Sequence, residues 1–258
     1  VKYGVTKDYV LNLEVVLPNG DIIWTGANTL KNSTGYNLTQ LMIGSEGTLG
    51  VITKAVLKLL PKNLHNVLML VPFYKAQEAC EAVSAIFRAG IIPSALEFME
   101  RDAIEWTLKY HDDISINVDD KVQAHLLIEV DGNYPEILML EAEKIMSVVE
   151  QFEIDEVLFA DTEDTKNALW KMRRSVAEAV KSNSIYKEED AVVPRYMLPE
   201  LLTGIKRIGA KHGFKSVCYG HAGDGNLHVN IIKADMTDDN WQTQVPVGIR
   251  EIFELTVS

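Results

Sequence analysis

The chain changes its hydrophobic period once, at Pro61-Lys62-Asn63. Before this break the apolar residues alternate, as in Leu11, Leu13, Val15 and Leu17; after it they gather into longer helical and extended units. A single uniform layer cannot satisfy both patterns, so the sequence predicts two regions, residues 1–62 and 63–258. A length of 258 residues leaves room for a substantial core in such an arrangement.

In the first region, residues 9–17 and 21–24 flank Pro18-Asn19-Gly20 and read as a β-hairpin. A polar loop from Gly26 to Tyr36 leads to a short helix capped by Asn37, then to a strand over Val51–Leu60. In the second region strands are expected at Val67–Val71, Gln123–Val130, Val157–Ala160, Ser216–Tyr219 and Leu227–Lys233, with a strand or turn near Ala95–Met99. Helices are expected at Lys75–Ala89, up to Tyr110, and over Pro135–Phe152, Thr162–Lys181, Tyr196–His212 and Asp238–Val257. Gly90 and Gly213 stand where two of these helices should stop. The fold class is α+β: a mainly β opening, then a largely antiparallel sheet with helices on one side.

Composition narrows the function classes. Apolar residues make up 47% and charged residues 24%, as in a globular protein. A formal net charge of −12 argues against nucleic-acid binding, which needs clustered Lys and Arg. No apolar run is long enough to span a membrane, and no signal-type leader is visible. Cys80 and Cys218 are the only cysteines, which favours a reducing, cytoplasmic setting, with peripheral membrane attachment left open. The chain starts without Met and stops directly after an amphipathic stretch, so it reads as an excised fragment.

The chemistry is concentrated between Tyr219 and Asn230. His221 and His228 are separated by Gly223 and Gly225, with Asp224, Asn226 and Asn230 nearby. Gly220 and the two later glycines allow close approach of backbone to ligand, and Leu227, Val229 and Ile231 start a strand that carries the second histidine. Two imidazoles delivered this way suit a metal or polar-substrate site, but a zinc centre needs at least one more protein group. The plainer alternative is a glycine turn with two hydrogen-bonded histidines.

Gly44-Ser45-Glu46-Gly47-Thr48-Leu49-Gly50 opens a strand, whereas nucleotide-binding glycine motifs open a helix. The turn can present backbone N–H groups to a phosphate or a flavin carbonyl, or simply join two strands. Arg173, on a helix with Trp170, could hold a carboxylate through its guanidinium fork. Lys187-Glu188-Glu189-Asp190 reads as a charged loop.

With Lys31 and Gly35-Tyr36-Asn37-Leu38 before it, the Gly44–Thr53 segment resembles the FAD-linked oxidases of the vanillyl-alcohol-oxidase or PCMH type. The Tyr219–Asn230 segment resembles their C-terminal substrate domain, in the group of D-lactate dehydrogenases, glycolate oxidase D-subunits and D-2-hydroxyglutarate dehydrogenases. The resemblance implies that residues 1–62 are the second half of a FAD-binding domain. Lys31, Gly44, Ser45, Glu46, Gly47, Thr48, Gly50, Val51 and Ile52 would contact FAD. Residues 63–258 would be the substrate or cap domain, incomplete at its C-terminus.

The resemblance also implies that His221 and His228 bind a divalent metal, commonly zinc. A glutamate and a candidate base histidine from a later motif, outside this chain, would complete the site. Arg173 and Asn230 would contact the substrate. The implied activity is oxidation of a small D-2-hydroxy acid to the 2-oxo acid, with an unidentified electron acceptor. Ala177 stands where the 2-hydroxyglutarate enzymes carry threonine, and their lysine aligns with Lys187 or Glu188, so lactate or glycolate is favoured over the dicarboxylate. A flavin-free metal-dependent hydrolase is the competing class, and a scaffold with half a cofactor site a third. The fragment itself is expected to be inactive, to hold FAD and metal weakly or not at all, and to allow pairing into a homodimer through uncovered apolar surface.

Overall fold

A computed structural model describes residues 1–257 apart from Asp112, Ser115 and Asn117. Two compact units emerge, Tyr3–Lys62 and the remainder from Asn63 onward together with Val1–Lys2. Ser258, the last residue of the expected second region, lies outside the described residues.

In the smaller unit, β1 (Val10–Val16) and β2 (Ile22–Trp24) form the antiparallel hairpin, with Val15 opposite Ile23. Gly20 closes its turn at φ 91°, a conformation that costs a side-chain-bearing residue dearly. α1 (Leu38–Met42) starts where the Asn37 side chain accepts a hydrogen bond from Gln40 N at 3.1 Å. β3 (Val51–Leu57) pairs with the other edge of β1, giving the order β2-β1-β3. It ends three residues before the expected Leu60, because Leu57 already faces Val10, the first residue of its partner. Leu13, Val15 and Met42 form the small core.

The larger unit runs β4 (His65–Phe73), α2 (Ala76–Arg88), β5 (Ala95–Glu100), α3 (Arg101–Tyr110), β6 (Ala124–Gly132), α4 (Pro135–Val149) and β7 (Leu158–Ala160). It continues with α5 (Glu163–Arg174), α6 (Val176–Asn183), β8 (Tyr186–Val192), α7 (Leu198–His212), β9 (Lys215–Gly220), β10 (Asn226–Ile232), α8 (Asp238–Thr243) and α9 (Val245–Thr256). Seven strands form an antiparallel sheet in the order β7-β4-β6-β5-β9-β10-β8.

Helices cover both faces of this sheet, not one. Along β4, Met69, Val71 and Phe73 join one cluster with side chains of α2, α4, α7 and α9. Leu68 and Leu70 point the other way, into a second cluster with α3, α5 and α6. A strand apolar on both sides requires cover on both, since each buried aliphatic side chain contributes roughly 1.5–3 kcal/mol.

Two expected helices are each broken in two. The Thr162–Lys181 stretch divides at Ser175, whose N–H is shared between the carbonyls of Lys171 and Met172. Its hydroxyl is held 2.8 Å from His111 Nε2 at the end of α3, a tertiary tie the local period does not reveal. The Asp238–Val257 stretch divides at Gln244, because Pro246 has no N–H to continue the ladder from α8. The segment read as a charged loop is β8, an edge strand against β10.

Candidate active site

Register puts the polar groups on one face. Across β9 and β10, Tyr219 lies opposite His228, and Val217 opposite Asn230. On the other edge of β10, β8 sets Asp190 opposite His228 and Glu188 opposite Asn230. Met99 opposite Tyr219 brings in β5, and Glu97 lies two residues away on the same side. Directly paired residues share a face, so all these side chains point toward the layer of α3, α5 and α6. α5 supplies Arg173 from above.

His221 sits just past β9, where the chain turns sharply. Asp224 N and Asn226 N both bond to His221 O, at 2.8 and 3.2 Å, and Gly225 adopts φ 78°. A Cβ on Gly220 would lie 2.5 Å from Asn226 O and 2.9 Å from Leu227 Cα, so only glycine lets the turn close. The result brings the two histidines together: their ring centroids are 5.9 Å apart at 74°.

Glu97 ties the cluster. His221 Nδ1 is 2.9 Å from each of its carboxylate oxygens, and Arg173 Nε donates to Oε2 at 2.9 Å. Arg173 Nη2 is 2.8 Å from the same oxygen, but at an angle that makes it an ion pair without a hydrogen bond. Burial pushes the Glu97 pKa up, yet the His221 hydrogen bond and the Arg173 charge together outweigh it, and the carboxyl is held below its ordinary value. An ionised carboxylate only accepts, so Nδ1 of His221 carries a proton and Nε2 faces outward. That hydrogen bond raises the His221 pKa against the opposing effect of partial burial.

His228 is set differently. Burial lowers its pKa, countered in part by Asp190, whose Oδ1 is 3.4 Å from Nδ1. Its ring packs against Tyr219 at 5.2 Å between centroids. The Arg173 guanidinium carbon lies 5.2 Å from the centroid of the same Tyr219 ring. Burial and the neighbouring Glu188 charge push the Tyr219 phenol up to about 12, so it stays protonated. Asn230 is buried, 1% exposed.

Two buried donors in this cluster lack a well-formed hydrogen bond: Arg173 Nη2, which is ion-paired with Glu97, and Asn230 Nδ2, whose side chain lies by the Tyr219 hydroxyl. Leaving such groups unsatisfied costs about 1–3 kcal/mol each, which an incoming acceptor would offset. Among the described residues no three His, Cys, Asp or Glu side chains are grouped to hold a metal ion. The histidine pair therefore offers two imidazole ligands, each with a carboxylate near Nδ1, and lacks a third protein ligand.

The expected flavin contacts lie in the smaller unit. Gly44, Glu46 and Gly47 take φ 79°, 49° and 78°, and Thr48 N bonds to Ser45 O at 2.9 Å, forming a tight turn before β3. A Cβ on Gly50 would lie 2.6 Å from Val15 Cγ1, so this glycine lets β3 close on β1. Val51 and Ile52 start that strand with exposed side chains, and Lys31 is exposed in the preceding loop.

Arg173, His221, His228 and Asn230 come together as one site in the larger unit, whereas Lys31 and Gly44–Ile52 belong to the smaller unit. Sequence reasoning gave no role in the site to Glu97, Tyr219, Glu188 or Asp190. The signal for Glu97 was an acid between Leu96 and Phe98 in an otherwise buried strand. For β8 it was the flanking Tyr186 and Val192.

Residues 62–257 match the family described as FAD linked oxidases, C-terminal domain. The chain is 37% identical to a D-lactate dehydrogenase of Anaerostipes hadrus, over 98% of this chain and 54% of that protein. It is 39% identical to the glycolate oxidase subunit GlcD of Bacillus subtilis, over 100% of this chain and 54% of that protein. A D-2-hydroxyglutarate dehydrogenase of Stutzerimonas stutzeri is 30% identical over 92% of the chain and 51% of its own length. The chain thus spans about half the length of the curated relatives it matches. In fold it resembles p-cresol methylhydroxylase with substrate bound, at a TM-score of 0.70 and 15% identity, covering 96% of this chain and 55% of that one.

Proposed function

The chain belongs to the FAD-linked oxidases, whose C-terminal domain it carries over residues 62–257, and from that premise we propose that the protein oxidises a small D-2-hydroxy acid to the 2-oxo acid. The observation that carries the proposal is the pair of buried donors without a hydrogen-bond acceptor, Arg173 Nη2 and Asn230 Nδ2, beside two clustered histidines. A hydroxy-acid carboxylate supplies the acceptors both donors lack. Family membership weighs against the flavin-free hydrolase.

Arg173 neutralises the substrate carboxylate and fixes its orientation, while Asn230 selects an oxygen at the same end. His221, with Nδ1 bonded to Glu97, presents Nε2 to the hydroxyl side of the substrate. Tyr219 closes the site between Arg173 and His228 and stays neutral. Bound FAD supplies a hydride acceptor. The imidazole pair suits a divalent ion, zinc by donor type, whose chemistry would be to acidify the substrate hydroxyl. We assign Lys31, Gly44, Ser45, Glu46, Gly47, Thr48, Gly50, Val51 and Ile52 to flavin contact, and residues 1–62 to the FAD-binding domain.

Glu188 and Asp190 lie 3.8 and 3.4 Å from His228 Nδ1; Glu188 accepts from the Tyr219 hydroxyl and Asp190 from Asn226, and among the described residues neither has a Lys or Arg ion-pair partner. Their negative charge disfavours a second substrate carboxylate reaching toward β8, as that of 2-hydroxyglutarate would, which supports lactate or glycolate. Electrons leave to a separate acceptor in a cytoplasmic setting; no helix among the described residues is long and apolar enough to cross a membrane. The test is a screen of D-lactate, glycolate and D-2-hydroxyglutarate on the full-length protein with a dye acceptor and parallel metal analysis. Turnover of a monocarboxylate is expected; inertness toward all three would overturn the proposal.

A further inference from the structure

We infer that Glu97 is the positioning residue of this site: a single buried carboxylate that aims both the arginine for the substrate carboxylate and the histidine for the substrate hydroxyl. The inference rests on the hydroxy-acid reading above. Glu97 comes from β5, Arg173 from α5 and His221 from the turn after β9, so three separate elements converge on two oxygen atoms. Glu97 is 6% exposed, and its contacts with Arg173 and His221 all fall between 2.8 and 2.9 Å.

A structural ion pair would need only Arg173. The contact with His221 goes further, because that side chain is 53% exposed and has little packing of its own to select one rotamer. The carboxylate does so by accepting from Nδ1, which leaves Nε2 as the outward-facing atom. On its other side it accepts from Nε of the guanidinium, while Nη2, ion-paired to the same oxygen, makes no hydrogen bond and can donate to a ligand. The distance between the carboxylate-binding and hydroxyl-binding ends of the site is therefore fixed by one side chain. Glutamine at this position has the same shape but only one accepting oxygen, and its amide would meet the donors of Arg173 or His221 head-on.

The test uses the full-length flavoprotein with Glu97→Gln and Glu97→Asp. Three readouts separate positioning from mere support. Histidine-labelled 15N spectra report the His221 Nδ1 proton, identified by its loss in His221→Ala. Flavin absorbance titrated with oxalate reports ligand affinity, and steady-state kinetics divide KM from kcat. We expect E97Q to lose the Nδ1 proton signal, to weaken oxalate about tenfold or more, and to lower kcat about a hundredfold. E97D, still a carboxylate, recovers part of each and guards against a folding failure of E97Q. A folded E97Q that keeps the Nδ1 proton, or keeps oxalate affinity and kcat within about twofold of wild type, overturns the inference. Inertness of the wild type toward every hydroxy acid would defeat the substrate reading instead, and the His221 proton would still decide what Glu97 does.

Discussion

His228 Nδ1 lies 3.4 Å from Asp190 Oδ1, across two strands that pair these residues directly. The ring is three-quarters buried, with that carboxylate near one nitrogen and the Tyr219 ring packed against it. On the proposed function, replacing His228 with Ala should lower turnover by about a thousandfold or more while FAD stays bound, because His228 belongs to the larger unit and the residues assigned to flavin contact belong to the smaller one. Asp190→Asn should cost only about threefold to tenfold, since Asp190 is well exposed and its field is screened. Steady-state rates with flavin absorbance on the full-length protein check both. Near-wild-type turnover in the alanine variant would remove His228 from the chemistry.

Arg173 has a role that lysine cannot fill. Its Nε edge is engaged by Glu97 while other donors remain available, and a lysine ammonium cannot divide itself between two carboxylates in that geometry. Arg173→Lys should reduce kcat/KM by about a hundredfold, mostly through weaker substrate binding. Arg173→Met should also destabilise the fold by about 3–5 kcal/mol, because it leaves Glu97 buried without its cation. Denaturant unfolding of both variants separates these effects. A methionine variant as stable as wild type would show that the buried pair contributes little.

Gly220 is where backbone geometry and chemistry meet. Its Ala variant would press a methyl group against Asn226 O and the Leu227 backbone, at 2.5 and 2.9 Å. The turn that orients His221 would have to open, at a cost of about 1–3 kcal/mol and with loss of the His221–His228 alignment. Gly90→Ala offers the contrast: nothing lies within 4 Å of its Cβ, and the cost is only the left-handed backbone, about 1–2 kcal/mol. Activity should fall in the first variant and persist in the second. Equal activity in both would mean that the His221 turn tolerates displacement.

Much of the fold was legible because it follows from local pattern. The hairpin at Val10–Trp24, the Asn37 cap and the stops at Gly90 and Gly213 all stand in the structure where periodicity and turn chemistry place them. What local pattern could not show was set by tertiary partners. β8 carries Lys187-Glu188-Glu189-Asp190, a poor strand sequence by composition, and is held by its ladder with β10. The break at Ser175 depends on His111, far away in sequence. The site was half legible for the same reason: the glycines around His221 announce a close approach, whereas Glu97 is one acid in a short strand. Only the sheet order, which sets β5 beside β9, makes it a partner.

His125 gives the fold a pH dependence of known sign. It is 2% exposed on β6, its Nδ1 has no hydrogen-bond partner, and burial, with Arg101 nearby, lowers its pKa to about 4. The native state therefore keeps the ring neutral at pH values where the unfolded chain, titrating near 6.5, binds a proton. A depressed histidine pKa means that stability is fully present above about 6.5 and is lost as pH falls toward 4. Between pH 6.5 and 5 the loss should be about 2 kcal/mol, before ordinary carboxylates begin to titrate. His228, also lowered, adds in the same direction; His221, raised, opposes it slightly as pH falls through 6.5 and levels off below, and both cancel in the comparison of the two proteins. His125→Phe keeps an aromatic ring and removes the titration, so its stability should change less with pH than the wild type's. Urea unfolding at pH 5 and 7 on both proteins measures the difference directly. Parallel losses in the two would mean that the His125 ring is protonated in the native state or shielded far less than its burial implies.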